Sequence, residues 1–189
     1  MKKFELTTES ITFLGRTLFR IKALISFGNV KAGELGGYIE KEKNLSHEGD
    51  AWVYGNAEVY GNAKVYGNAR VCGDARVYGD ARVCGDARVC GNARVYGDAW
   101  VCGDAWVCGD ARVCGNADIA TISGFGSEYR TTTFFRTKND EIAVKCGCFY
   151  GTLAEFREKV KETHGDNRYA KEYLMIADLM EMHFRGEEE

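Results

Sequence analysis

Gly49-Asp50-Ala51-Trp52-Val53-Tyr54 opens a hexapeptide, Gly-[Asp/Asn]-Ala-x-Val-[Tyr/Cys], that is written twelve times and closes at Gly115-Asn116-Ala117-Asp118-Ile119-Ala120. A six-residue unit is too small to bury an apolar face alone, so the period calls for units stacked into a solenoid. Ala and Val stand two apart and point to the same side of a strand. Ala51, Ala57, Ala63 and Val53, Val59, Val65 with their successors therefore face inward. Trp52, Arg76 and Tyr78 are expected outward. Gly followed by Asp or Asn supplies the residue types that tolerate positive φ, which lets the chain turn a corner every sixth residue.

The spacing Val53 to Ala57, Val59 to Ala63 and onward resembles the left-handed parallel β-helix of hexapeptide-repeat proteins. There an aliphatic residue and a small residue four positions later mark each side of a triangular prism. The resemblance implies three hexads, or about 18 residues, per coil, hence about four coils and a prism nearly 20 Å tall at ~4.8 Å per stacked strand. Residues 1–48 read as a β-rich cap, 49–120 as the repeat helix and 121–189 as an α+β lobe of two strands and two helices.

Length and composition suit one repeat domain with small flanking pieces. The 189 residues are 45% hydrophobic and 28% charged, with a formal net charge of −3. No segment carries the basic excess of a general nucleic-acid binder. Met1 to Leu6 lack a signal-peptide apolar run, and no stretch reaches the ~20 apolar residues of a membrane span. The expectation is a cytoplasmic protein of a bacterial cell. Of eight cysteines, Cys72, Cys84, Cys90, Cys102, Cys108 and Cys114 occupy a repeat position that Tyr also fills. Substitution within the repeat accounts for them, and a cytosol is expected to keep them reduced.

Within the cap, Phe4 to Leu6 and the flanks of Leu14-Gly15 read as strands of a hairpin. The run Val30-Lys31-Ala32-Gly33-Glu34-Leu35-Gly36-Gly37-Tyr38-Ile39-Glu40, followed by Asn44-Leu45-Ser46-His47-Glu48-Gly49-Asp50, resembles the N-terminal segment of a bacterial and phage group of hexapeptide-repeat proteins commonly labelled acetyltransferases. Hexapeptide acyltransferases, which the β-helix resembles, imply trimers, a catalytic histidine near a subunit boundary and a loop leaving the helix. Residues 49–120 hold no histidine and no insertion. That leaves His47 and His164 as general-base candidates for this reading, and no catalytic residue is assigned.

Stacking in threes sets Arg76, Arg94 and Arg112 in one column above Glu58, beside Tyr60, Tyr78 and Tyr96. A second face carries Trp52, Arg70, Arg88 and Trp106; a third carries Lys64, Arg82, Trp100 and Asp118. Arginines ~4.8 Å apart repel unless carboxylates or anions neutralise them. One reading pairs them with corner aspartates such as Asp74 and Asp110. A second makes the six Arg and Tyr residues of the first column pair an interface in a homo-oligomer, trimeric or dimeric, and a third makes the faces a ligand or partner surface, since guanidinium beside aromatic rings also suits nucleotides.

In the lobe, Tyr129 to Thr137 and Glu141 to Phe149 read as a hairpin across Lys138-Asn139-Asp140. Thr152-Leu153-Ala154-Glu155 is a capping box that opens one helix, and Asn167 is placed to cap a second. Gly124-Phe125-Gly126-Ser127, Arg130 to Phe134, Cys146-Gly147-Cys148-Phe149 and His164-Gly165-Asp166-Asn167 resemble a small C-terminal domain common in phage and prophage proteins. The clustered polar groups point to an anion or nucleotide pocket, since exposed helix N–H groups and arginine both favour negative charge. The charged candidates are Arg130, Arg136, Arg168 and Lys171. Thr131, Thr132, Cys148, His164, Asp166 and Asn167 are the expected hydrogen-bonding partners. Cys146, Cys148 and His164 lack the paired ligand spacing of a zinc site, so neither metal nor cofactor is assigned. The sequence favours a non-catalytic phage-type binding protein that sequesters a nucleotide-like signal or blocks a host defence protein. An acyltransferase and an assembly protein are the alternatives.

Overall fold

The structure, a computed structural model, describes residues 1–185. Its centre is a three-sided parallel β-solenoid of about four turns, built from eleven two-residue strands, β4 (Trp52–Val53) to β14 (Arg112–Val113). Each face stacks strands 18 residues apart. Val53, Val71, Val89 and Val107 are paired in register on one side, Val59, Val77, Val95 and Val113 on the next, and Val65, Val83 and Val101 on the third. The inward valines and alanines are fully enclosed, as the alternation requires. Ile39, paired with Val59, and Leu45, bridged to Val65, fill valine positions one coil before the first hexad.

The corners explain why glycine recurs. Gly79 has φ +70°, and a Cβ there would lie 3.0 Å from the Gly97 amide nitrogen of the next coil. Gly103 has a similar φ of +66° with nothing within 4 Å of such a Cβ. Gly103→Ala is thus expected to cost only the left-handed backbone penalty of about 1 kcal/mol, and Gly79→Ala about 1–2 kcal/mol more, compared by urea midpoints. Equal losses would show that close approach of the coils contributes nothing. Four corner aspartates accept from asparagines of the adjacent coil: Asn56 Nδ2 donates to Asp74 at 3.3 Å, Asn62 to Asp80 and Asn68 to Asp86 at 3.1 Å, and Asn92 to Asp110 at 3.3 Å. Among the described residues no arginine forms an ion pair with Asp74 or Asp110, so the reading that neutralises the Arg column at these corners is corrected. The corner residues stack on one another, and the cation that reaches Asp110 is Lys138, at 2.7 Å.

At the lower end, β1 (Phe4–Phe13) and β2 (Arg16–Ala23) form the expected hairpin and extend one solenoid sheet through β3 (Leu35–Ile39). This cap overturns the outward placement of Trp52. The indole is fully buried, with the Phe27 and Phe4 rings edge-on at 5.3 and 6.2 Å. Glu58 is buried too, and its carboxylate pairs with Arg76 at 3.1 Å.

Lys3 closes the same end. Its buried ammonium donates to the Ala51 and Gly49 carbonyls at 2.9 and 3.1 Å. Burial pushes its pKa down to about 8 from 10.5, against the pull of Asp50. Because the folded pKa is the lower one, the unfolded chain binds more protons between pH 8 and 10.5, and stability rises with pH across that window. Relative to Lys3→Met, the wild type is expected to gain about 1–2 kcal/mol between pH 7.5 and 10 in denaturant unfolding. A flat difference would mean that the ammonium is solvated.

The upper end departs from the expected twelfth hexad. Residues 116–118 form a 3-10 turn in which the Asp118 carboxylate accepts the Cys114 and Gly115 N–H groups at 2.9 and 3.2 Å, so Asp118 does not extend the Lys64, Arg82 and Trp100 column. The chain then enters β15 (Ile119–Ile122), which pairs with β16 (Thr132–Arg136), β17 (Ile142–Cys146) and β18 (Phe149–Thr152) in an antiparallel sheet of four strands, where two were expected. Alternation along β16 sends Phe135 into the solenoid core and Phe134 to the other side, where it meets α1 (Leu153–His164) and α2 (Arg168–Arg185). The sheet is thus the lid of the bore and the floor of the helices. Thr152 and Glu155 make the expected capping box, and Asn167 Oδ1 accepts the Ala170 N–H at 3.0 Å. Among the described residues no helix is long and apolar enough to cross a membrane.

Candidate functional site

Where the lobe sheet lands on the second solenoid face, it leaves a groove of about 470 Å³. Arg88 and Trp106 come from the solenoid, and Ser123, Arg130, Thr131 and Lys145 from the lobe. Two contacts set its geometry. The Trp106 N–H donates to Thr133 Oγ1 at 3.0 Å, and the buried Lys145 ammonium lies 4.1 Å above the Trp106 ring while donating to the Gly147 carbonyl at 2.8 Å. Arg88 approaches the same indole at 5.2 Å. A guanidinium and an ammonium thus flank one aromatic ring, with Asp86 and Asp104 on the rim. Both cations line the groove together with Asp86 and Asp104.

Arg130 also lines a second cavity of about 240 Å³ behind the groove, walled by Phe149, Phe156, His164 and Tyr173, with Lys159 at its mouth. Burial pushes the Tyr173 hydroxyl up to about 12. His164 stacks on that ring with centroids 5.8 Å apart. Arg130 lines both an aromatic chamber and a cationic one, and it makes an exposed pairing with Glu128 at 3.2 Å.

The sequence candidates divide around this pair of cavities. Arg130 and Thr131 line the groove, Thr131 with its hydroxyl 2.7 Å from Ser123 Oγ, and Arg130 and His164 line the aromatic cavity. Thr132 is buried beneath it, and its hydroxyl donates to Cys146 Sγ at 3.2 Å, which corrects its expected exposure to ligand. Asn167 is used as a helix cap. Arg168 is bonded to Glu172 at 2.7 Å, and Cys148, Asp166 and Lys171 are exposed and line neither cavity. Arg136 lies apart, in a separate groove with Arg157 and Arg185. It pairs there with Asp140 at 2.7 Å and Asp118 at 3.3 Å, and bonds the Phe184 carbonyl. Arg88 and Trp106 belong to an Arg and aromatic face that the repeat itself displays, whereas Lys145 and Tyr173 are not marked as site residues in the sequence. A lysine inside an apolar strand, Ala143-Val144-Lys145-Cys146, was the available signal.

The Arg and Tyr columns of the first face are also unequal along their length. Tyr60, Tyr78 and Tyr96 stack 5.0 Å apart with near-parallel rings, but Phe13 covers Tyr60 and lies 4.3 Å from the Arg76 guanidinium. Tyr78, Arg94, Tyr96 and Arg112 stay half-buried at the open end, where Arg94 and Arg112 share a groove of about 290 Å³ with Lys138.

His47, the other catalytic candidate, is engaged on both ring nitrogens. Nδ1 accepts the Lys3 N–H at 3.2 Å and Nε2 lies 2.6 Å from Glu42, while the ring stacks on Phe4 at 4.3 Å. The expected reduced state of the repeat cysteines is corrected at one pair: Cys84 and Cys102 form a disulfide, because an 18-residue step brings their Cα atoms to 4.6 Å.

A search of curated proteins finds no match. Residues 63–79, 69–85, 75–90 and 87–103 match the family model described as the YdcK beta solenoid repeat. With the in-register strands above, that similarity makes the chain a β-solenoid repeat protein.

Proposed function

We propose that the protein is a non-catalytic binding protein whose lobe and solenoid together hold an anionic, aromatic ligand of the nucleotide class. The observation that carries this is the position of Arg130, between the ring-lined cavity of Phe149, Phe156, His164 and Tyr173 and the groove of Arg88, Lys145 and Trp106. A base suits the first and a phosphate the second, since charge-assisted bonds from arginine are the strong ones. The resemblance of cap and lobe to phage and prophage proteins supports a counter-defence setting, in which holding such a ligand withdraws a signal. An acyltransferase reading has less support, because His47 is tied into the cap and His164 is packed on Tyr173.

Calorimetric titration with a panel of mono-, di- and cyclic dinucleotides, and acyl-CoA as the comparison, tests the proposal. One nucleotide is expected to bind each chain at about 10 µM or tighter, weakening with salt and without turnover. Heats at the level of buffer for the whole panel would refute it and leave a protein partner or an assembly role. Acyl-CoA turnover would favour the enzyme.

A further inference from the structure

Cys72, Cys90 and Cys108 stand one coil apart on one column. Each follows a paired valine, Val71, Val89 or Val107. The Cys72 N–H donates to the Val89 carbonyl at 2.9 Å and the Cys90 N–H to the Val107 carbonyl at 3.0 Å. On the adjacent column the Cys84 N–H meets the Val101 carbonyl at 2.9 Å, and there the same 18-residue step carries a disulfide. The repeat gives both columns one backbone step, so the triad meets the distance requirement for a disulfide twice, with a single sulfur in the middle to share. The column runs along the solenoid axis. The third thiol therefore approaches Cys90 from the side opposite its bonded partner, which is the approach that thiol–disulfide exchange needs.

The surroundings favour Cys90 as the attacking sulfur. Hydrogen bonds from Cys108 and Cys72 hold its thiol far below the usual range, helped by the Trp106 indole N–H at 3.1 Å and the Lys145 ammonium. The same bonds and burial push Cys72 and Cys108 up. All three are half-buried.

We infer that Cys90 is a redox-modification site that forms a disulfide with either Cys72 or Cys108, with the remaining cysteine as its exchange partner. The oxidant is a small-molecule disulfide, RSSR. The Cys90 thiolate attacks one of its sulfurs and expels RS⁻. Cys72 then gives its proton to solvent, and its thiolate attacks Cys90 Sγ and expels the second RS⁻. Two cysteines are oxidised and one RSSR is reduced to two thiols. In the exchange step Cys108, deprotonated, attacks Cys90 Sγ; the Cys72–Cys90 bond breaks, and Cys72 takes up the proton. This column adjoins the groove but the inference does not rest on a ligand there.

The test reduces the full-length protein, exposes it to oxidised glutathione, alkylates free thiols and weighs the intact chain, with each disulfide removing about 2 Da before alkylation. The wild type is expected to form one more intramolecular disulfide than Cys90→Ser, while Cys72→Ser and Cys108→Ser each match the wild type. A Cys90→Ser protein that gains as many as the wild type overturns the proposal, as does a wild type that gains only Cys84–Cys102. Trypsin yields the same peptide, Val-Cys-Gly-Asp-Ala-Arg, around Cys72 and Cys84, so partner assignment rests on these variants. Should Cys90→Ser fold poorly by circular dichroism, the wild type still decides. Its Val89–Arg94 peptide is unique to Cys90 and must appear cross-linked without reduction; recovered as a free alkylated peptide, it overturns the proposal.

Discussion

Val83→Asp is expected to abolish cooperative folding of the solenoid. Val83 has no exposed surface and is paired in register with Val65 below and Val101 above, in a bore lined by valine and alanine. A carboxylate there meets no donor, because the backbone N–H groups of each coil are already bonded to the next, as Lys64 is to Ala81 and Arg82 to Ala99, both at 2.9 Å. Even protonated and neutral, a carboxyl group unpaired in that setting costs several kcal/mol, against a total stability of about 5–15 kcal/mol. Each coil touches only its neighbours, so a broken coil removes the template for those on either side. Arg82→Ala, one residue away on the outer surface, loses only a cation–ring contact with Trp100 at 4.8 Å, worth about 0.5–1 kcal/mol. Thermal melts followed by circular dichroism compare the two. A Val83→Asp protein that melts within a few degrees of the wild type would mean that the bore admits water.

Arg130→Glu is expected to weaken nucleotide binding at least about 50-fold, while Arg168→Glu weakens it less than about 3-fold. Both remove one positive charge and add one negative charge, so a general field effect would treat them alike. Arg130 lines both cavities, and the new carboxylate would face the ligand beside Glu128. Arg168 is exposed on α2, already bonded to Glu172, and lines neither cavity. Calorimetry on the two proteins at equal ionic strength separates direct contact from long-range attraction. Equal losses would place the ligand outside the groove.

The inner face of the repeat was legible because its period is strict. Val and Ala recur at one spacing, and water exclusion has only one way to satisfy them. The capping residues Thr152 and Asn167 were legible for a similar reason, since a local hydrogen bond within three residues decides them. Local signals failed at the two ends. Trp52 and Glu58 obey the outward phase of the hexad but are covered by β1 and β2, whose docking no hexad encodes. Asp118 obeys it too, yet its carboxylate turns back onto the Cys114 and Gly115 amides and releases the chain into the lobe sheet.

The candidate site divides along the same line. Arg130, Thr131 and His164 are legible as polar groups beside glycine turns, but the same local criterion marks Arg136, which Asp118 and Asp140 engage, and Thr132, which is buried in β16. Arg88 and Trp106 meet one coil apart through the repeat, whereas Lys145 reaches that ring only because the lobe sheet seats on the last coil. The solenoid, its three faces and its columns follow from the repeat alone, because a six-residue period is a local property repeated until it becomes a shape. Which column residues are covered, and where the Lys145 ammonium meets the Trp106 ring, follow instead from the docking of cap and lobe. Those outcomes depend on contacts between segments that carry no period in common.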